Sequence, residues 1–184
     1  MPQFFTTSQW VPYPVELVFA FFANPGNLPH LCPKWQQARL ESSRLVPPPA
    51  RPLAADPALR YQSPAAGAGS ELEISMRPFR GVPARAHWLV RISDFAWNSY
   101  FRDEQVTGPF ALWRHTHNIR SETQDGVSGT QVTDDLEYDL PLGPLGSVAN
   151  SIFVRRQIRA TFRFRHQRLQ EILPVAARQA ARRS

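Results

Sequence analysis

A succession of alternating runs, spaced as hairpins and followed by one long helical stretch, constrains this chain more than any other feature. Side chains on a strand point to opposite faces with period two, so each run declares which residues share a face. Ser70–Phe79 places Leu72, Ile74 and Met76 together, with Glu71, Glu73, Ser75 and Arg77 opposite. In Ala84–Ile92 one face carries Trp88, Val90 and Ile92; Trp97–Thr107 groups Trp97, Phe101, Asp103 and Gln105. Ala111–Ser121 groups Trp113, His115, His117 and Ile119, and Thr130–Leu140 groups Val132, Asp134, Leu136, Tyr138 and Leu140. Gly81-Val82-Pro83, Gly108-Pro109 and Asp125-Gly126 punctuate the runs as turns.

Ser147 then reads as the N-cap of a helix running to about Leu173. Val148, Ile152, Ile158, Phe162, Leu169, Ile172 and Leu173 form its apolar stripe, with Arg155, Arg156, Arg159, Arg163 and Arg168 mostly off it. Pro174 is expected to end that pattern and to leave 175–184 as a basic, frayed tail, so residues 1–174 form one domain. Upstream, Phe4–Val11 reads as a strand, Val15–Ala23 as a short amphipathic helix stopped by Asn24-Pro25-Gly26, and Trp35–Val46 as another strand. Between Pro47 and Gly69 six prolines stand among alanines and polar residues, which predicts a long surface loop placed to act as a lid. A sheet with one apolar face needs a cover, and the last helix is the one element long enough to supply it. The expected fold is therefore α+β: a curved antiparallel sheet wrapped around a long C-terminal helix, with short helices after the first strand.

Several function classes are disfavoured by composition. No apolar run reaches the ~18 residues that a membrane-spanning helix needs. The first residues read as a strand rather than a secretory leader, and Cys32 is the only cysteine, so the expectation is a cytoplasmic protein. The net charge of +6 is uneven: from Ser147 onward nine arginines face the single Glu171, a local +8 that leaves about −2 for the rest. Without a basic sheet interleaved with aromatics, this is read as a solvated helix face, and no nucleic-acid partner is expected. An acidic lipid surface is a lesser alternative for that face. The chain contains no GxSxG, Walker or dinucleotide fingerprint.

Local strings add a resemblance. The opening VPYPVELVFAFFANPGNLPHLCP, then Gly108-Pro109-Phe110 leading into Trp113-Arg114-His115-Thr116-His117, and finally Gly129-Thr130, Asp134, Tyr138, Pro141 and Gly143 resemble the START/Bet v 1-like (SRPBCC) superfamily, in its bacterial ligand-binding and polyketide cyclase-like branch. The resemblance covers nearly the whole chain. It implies a helix-grip fold around a hydrophobic cavity. It does not imply one reaction, since relatives carry lipids, act as cyclases or aromatases, or only bind.

Within such a cavity, alternation nominates Leu72, Ile74, Met76, Trp88, Val90, Phe101, Gln105, Trp113, Leu136, Tyr138 and Phe162 as ligand-contacting residues. The same rule turns His115, His117, Asp134 and Asp103 inward, with His117 and Asp134 the pair at comparable distances from the Asp125-Gly126 turn. Such a cluster can be a structural hydrogen-bond network, a ligand contact or a general acid/base, in that order of frequency. Two histidines on one strand face can also reach a single ion with a facing carboxylate as third ligand. Strand pairs of histidine are common without metal, and no metal or cofactor is expected. The expected function is binding or transport of a hydrophobic small molecule of lipid, polyketide or aromatic type. The alternatives are a cyclase/aromatase-like enzyme using the His/Asp cluster and a membrane-surface lipid-transfer protein. Monomer and homodimer both remain open.

Overall fold

In a computed structural model, seven strands form one antiparallel sheet in the order β1-β7-β6-β5-β4-β3-β2. The structure describes residues 1–52, 63–78, 80–81, 83–141 and 147–181, with side chains from 152 onward in the last segment. The strands are β1 (Gln3–Val11), β2 (Arg39–Arg44), β3 (Glu71–Met76), β4 (Ala86–Ala96), β5 (Tyr100–Thr107), β6 (Leu112–Gln124) and β7 (Val127–Asp139). Helix α1 (Val15–Ala23) and two 3-10 turns, Pro25–Leu31 and Lys34–Gln36, separate β1 from β2, and helix α2 (Ser147–Ala181) follows β7. This is the expected α+β helix-grip arrangement.

The strand periodicity is realised where it was strongest. β6 and β7 pair without interruption from Leu112↔Asp139 to Gln124↔Val127. Asp125 and Gly126 turn between them with φ of 49° and 78°, the two positive angles that a tight two-residue hairpin requires. The β4–β5 ladder shifts register at Leu89/Val90 and Ile92/Asp94, and β2–β3 shifts at Leu40/Ser42. An extra residue in one strand bends it and increases its twist, so these shifts curve the sheet.

Helix α1 differs from expectation in one respect. It is not amphipathic: every residue from Leu17 to Ala23 is buried. A helix that is apolar all round belongs in a core, and α1 fills the concave side, with Phe19 edge-on to Phe95 at 5.4 Å. The strand expected over Trp35–Val46 shrinks to Arg39–Arg44, because Lys34–Gln36 forms a 3-10 turn closed by Gln37 at positive φ.

Helix α2 also departs from its sequence reading, at both ends. It continues through Pro174 to Ala181, with Ala176 and Ala180 buried, so the frayed tail expected from 175 is helix at least to Ala181. Pro174 removes one bond to the carbonyl of Gln170, but Gln170 is on the exposed face, where water can take its place. Toward the N-terminus the inward position belongs to Val154, whereas Ile152 is 54% exposed. The buried stripe is thus Val154, Ile158, Phe162, Arg165, Leu169, Leu173, Ala176 and Ala180, at spacings of three and four. One member of that stripe is charged.

Candidate functional site

The register of three neighbouring strands builds a polar cluster on the concave face. On β6 and β7, His117 lies opposite Asp134; on β5 and β6, Asp103 lies opposite His115. These four residues therefore share one face at similar height, and their side chains meet. Asp134 Oδ1 is 3.1 Å from His115 Nε2 and 2.8 Å from His117 Nδ1. Asp103 Oδ2 is 3.2 Å from His117 Nε2 and 3.6 Å from His115 Nδ1. Each imidazole thus has one edge toward Asp134 and the other toward Asp103, with the ring centroids 3.9 Å apart.

Arg165 completes the cluster from α2. Its Nη1 is 3.5 Å from Asp134 Oδ1 and its Nη2 is 3.2 Å from His117 Nδ1. The guanidinium also stacks over Phe22 at 4.7 Å, which holds it in an apolar setting. The sequence reading missed this residue by treating the arginines of α2 as solvated. The signal was present: Arg165 falls three residues after Phe162 and four before Leu169, on the buried stripe.

The two histidines are driven in opposite directions. Burial opposes protonation of both. For His117, hydrogen bonds toward Asp103 and Asp134 outweigh burial and the nearby Arg165, and its pKa is raised above 6.5. For His115, burial and the charge of His117 prevail over its contacts with the carboxylates, and its pKa is lowered. Burial also opposes ionisation of Asp103 and Asp134, yet both are held below the ordinary carboxylate range. The His117 hydrogen bond and the charges of His115, His117 and Arg165 do this for Asp103. Arg165, followed by the two imidazoles, does it more strongly for Asp134.

This cluster forms one pole of a cavity of about 200 Å³. A single water needs only about 15 Å³ by the same measure, so the space suits a small molecule. Asp103, His115, His117 and Arg165 line it, whereas Asp134 stands behind them. Of the residues nominated for ligand contact, Leu72, Ile74, Met76, Trp88, Val90, Phe101, Trp113 and Phe162 line the wall. Three do not. Gln105 is on the expected face but is committed to its neighbours, accepting from Trp88 Nε1 at 2.6 Å and donating to the Phe110 carbonyl at 2.7 Å. Leu136 and Tyr138 are each 1% exposed and belong to the packed core. Phe110 stands edge-on over Tyr138 at 6.1 Å, and the Tyr138 hydroxyl meets Gln3 Oε1 at 3.1 Å.

Other lining residues were not foreseen. Phe22 and Leu31 come from the α1 region, Phe110 from the β5–β6 turn, and Gln36 and Thr161 add a second polar spot. Gln36 is 7% exposed, and its Oε1 has no hydrogen-bond partner among the described residues. Cys32 also faces the cavity, where burial pushes its thiol up to about 11 and keeps it protonated at neutral pH.

The loop expected as a lid has fixed stems. Ala66 N donates to Ala23 O, Gly67 N to Val46 O and Gly69 N to Ile92 O at 2.8–3.0 Å. A Cβ on Gly67 would come within 2.6 Å of Pro48 Cα, so the two stems pass too closely for any other residue. Ala66, 4% exposed, lines the cavity. Residues 53–62, the middle of the expected lid, lie outside the described residues.

Comparisons with known proteins agree with this architecture. The family profile described as "Polyketide cyclase / dehydrase and lipid transport" matches residues 11–164. No curated protein sequence is a match. Among solved structures, Ara h 8.0201 is similar at 12% identity with a TM-score of 0.58, covering 95% of this chain and 99% of its own. The protein TTHA0849 from Thermus thermophilus is similar at 18% identity with a TM-score of 0.54, covering 97% and 99%. At these identities the likeness is one of fold. Among the described residues no helix is long and apolar enough to cross a membrane.

Proposed function

We propose that this chain, which belongs to the polyketide cyclase/dehydrase and lipid transport family, binds or carries an apolar small molecule with a polar oxygen at one end. The observation that carries this reading is the asymmetry of the cavity. Most of its wall is apolar or aromatic, and the polar groups of Asp103, His115, His117 and Arg165 converge at one pole. Pockets of this kind gain affinity from the wall and orientation from a few placed polar groups. A carbonyl, phenol or carboxylate at that pole would meet imidazole and guanidinium donors. Aromatic and polyketide-like skeletons suit a wall built on Trp88, Phe110 and Trp113, and Gln36 Oε1 offers an acceptor to a ligand hydroxyl.

Native mass spectrometry of the freshly purified protein tests this reading. A retained apolar molecule, released on unfolding, is the expected result. Trp88 and Trp113 line the wall, so their fluorescence should also change when aromatic ligands are titrated. No retained molecule and no fluorescence response to a panel of aromatic, polyketide and acyl ligands would sink it.

A second reading, catalysis, is favoured by one detail. His115 Nδ1 is 3.6 Å from Asp103, beyond a good hydrogen bond, and its ring is driven toward the neutral form. A neutral imidazole at the pole is suited to accept a proton from carbon or oxygen beside a carbonyl, as enolisation or aldol-type cyclisation requires. His115→Gln separates the two readings: lost turnover with retained affinity marks an enzyme, and weakened affinity with no turnover by the unaltered protein marks a binder.

A further inference from the structure

We propose that Asp103, His115 and His117 form a binding site for one divalent transition-metal ion, of the zinc or iron(II) class, opening into the cavity. This goes against the sequence expectation that no metal is bound. One donor atom from each of the three residues lies within 4.8 Å of the others. Asp103 Oδ2 stands 3.2 Å from His117 Nε2 and 3.6 Å from His115 Nδ1. Donors about 2.05 Å from a four-coordinate ion are spaced about 3.3 Å apart, so these separations are those of ligands sharing one ion.

The outer contacts provide an independent argument. A ligating histidine presents one ring nitrogen to the metal and donates from the other to a carboxylate, which fixes its tautomer. Both rings are arranged in this way here. The nitrogens away from Asp103, His115 Nε2 and His117 Nδ1, are 3.1 and 2.8 Å from the same Asp134 Oδ1. Asp134 is 1% exposed and does not line the cavity, so it is placed to orient both ligands without competing for the ion. The polar contacts of Arg165 among the described residues are with Asp134 and with His117 Nδ1, not with the ring nitrogens that face Asp103; when Nδ1 donates to Asp134, the ion pair with Asp134 is what holds the guanidinium there.

Access and charge fit the same assignment. Asp103, His115 and His117 all line the cavity, and Asp103 keeps 17% of its side chain accessible. Three protein ligands leave a coordination position for water or a ligand oxygen. With neutral imidazoles, two carboxylates face one guanidinium. A divalent ion would leave the cluster one positive charge in excess, which an anionic oxygen in the open position would neutralise. Imidazole and carboxylate donors suit zinc and iron(II) rather than calcium or magnesium, which favour all-oxygen sites.

The test uses the full chain, stripped with EDTA, and Zn2+ or Co2+ alone. Its failure would therefore leave the apolar-ligand reading standing. Calorimetry is expected to give one Zn2+ per chain, and Co2+ to give a visible spectrum of nitrogen and oxygen ligation. Asp134→Asn should weaken Zn2+ binding by about 10- to 100-fold, and Asp103→Asn by more, with the far-ultraviolet spectrum unchanged. Nitrogen-15 spectra of the unaltered protein provide a readout that does not depend on whether either variant folds. Zn2+ should shift Nδ1 of His115 and Nε2 of His117, while their other nitrogens remain protonated. Absence of stoichiometric Zn2+ and Co2+ binding would overturn the assignment. So would shifts confined to His30, His87 or His166.

Discussion

At the aromatic end of the site Trp88, Phe110 and Trp113 pack with ring centroids 4.9–5.5 Å apart. The polar end adjoins it, with Trp113 edge-on to His115 at 6.4 Å, and gathers two carboxylates, two imidazoles and a guanidinium. The aromatic end contains one polar link, from the Trp88 indole through Gln105 to the Phe110 carbonyl. Otherwise it depends on volume and shape, which neighbouring side chains can partly restore after a substitution. The polar end depends on reciprocity. Each buried group there is tolerable because another neutralises it, so removing one leaves the rest uncompensated. The two ends should therefore respond very differently to substitutions of similar size.

The largest effect is expected from Arg165→Met, which keeps the length of the side chain and removes its charge. Asp134, 1% exposed, would lose its cation, and stripping one partner from a buried ionic set typically costs about 3–5 kcal/mol. Urea unfolding followed by circular dichroism should show a lower midpoint with an unchanged slope. A loss no larger than that of an exposed Arg163→Met control would break the comparison, because the polar end would then not depend on its cation.

A smaller loss is expected at the other end from Trp88→Phe, which keeps an aromatic ring but removes the indole donor. Gln105 Oε1 retains only the long 3.4 Å contact from Phe110 N, so about 1–2 kcal/mol should be lost. The doubly substituted protein sharpens the contrast. If the two ends are energetically separate, Arg165→Met and Trp88→Phe add to within about 0.5 kcal/mol. A larger deviation in the double-mutant cycle would mean that the cavity responds as one unit.

Most of the β6–β7 hairpin could be read from residue alternation, because its pairing has no register shift and every inward residue stays inward. The same rule put Asp103 on the correct face, although register shifts interrupt the β4–β5 ladder on either side of it. Alternation says which face a side chain takes but not what occupies the space in front of it. Leu136 and Tyr138 face inward as read, and so does Gln105, two strands away on β5. Core packing and the Trp88–Gln105–Phe110 link separate all three from the cavity. The helix was misread for a different reason. Charge alone suggests solvent, and Arg165 stands among the exposed Arg155, Arg156, Arg159 and Arg163, yet its position in the stripe buries it. Pro174 likewise suggests an end, but the helix carries on through it, with the freed Gln170 carbonyl on the exposed face and Ala176 and Ala180 buried beyond it.

The smallest effect lies within the polar end and concerns the two histidines themselves. They are two residues apart on one strand and equally buried, yet their environments should separate them. His117 can donate from both ring nitrogens, toward Asp103 at 3.2 Å and Asp134 at 2.8 Å, whereas His115 has one close partner, Asp134 at 3.1 Å. In EDTA-treated protein the His117 imidazole should therefore titrate above 6.5 and that of His115 below it. The consequences for stability have opposite signs. The contribution of His117, whose folded pKa is raised, is fully present below 6.5 and is lost as pH rises through the folded value. His115 has a depressed folded pKa, so the unfolded chain takes up its proton first and stability declines as pH falls below 6.5. His117→Gln should accordingly flatten the alkaline side of the stability profile, and His115→Gln the acid side down to the point where Asp103 and Asp134 begin to protonate. That further loss begins near 3.8, where the unfolded chain's carboxylates take up protons first, and continues down through the folded values, which are held lower. Carbon-13 or nitrogen-15 titration of the two imidazoles reads the difference directly. If both rings titrate on the same side of 6.5, the division of labour between them is wrong, even if the cluster as a whole is intact.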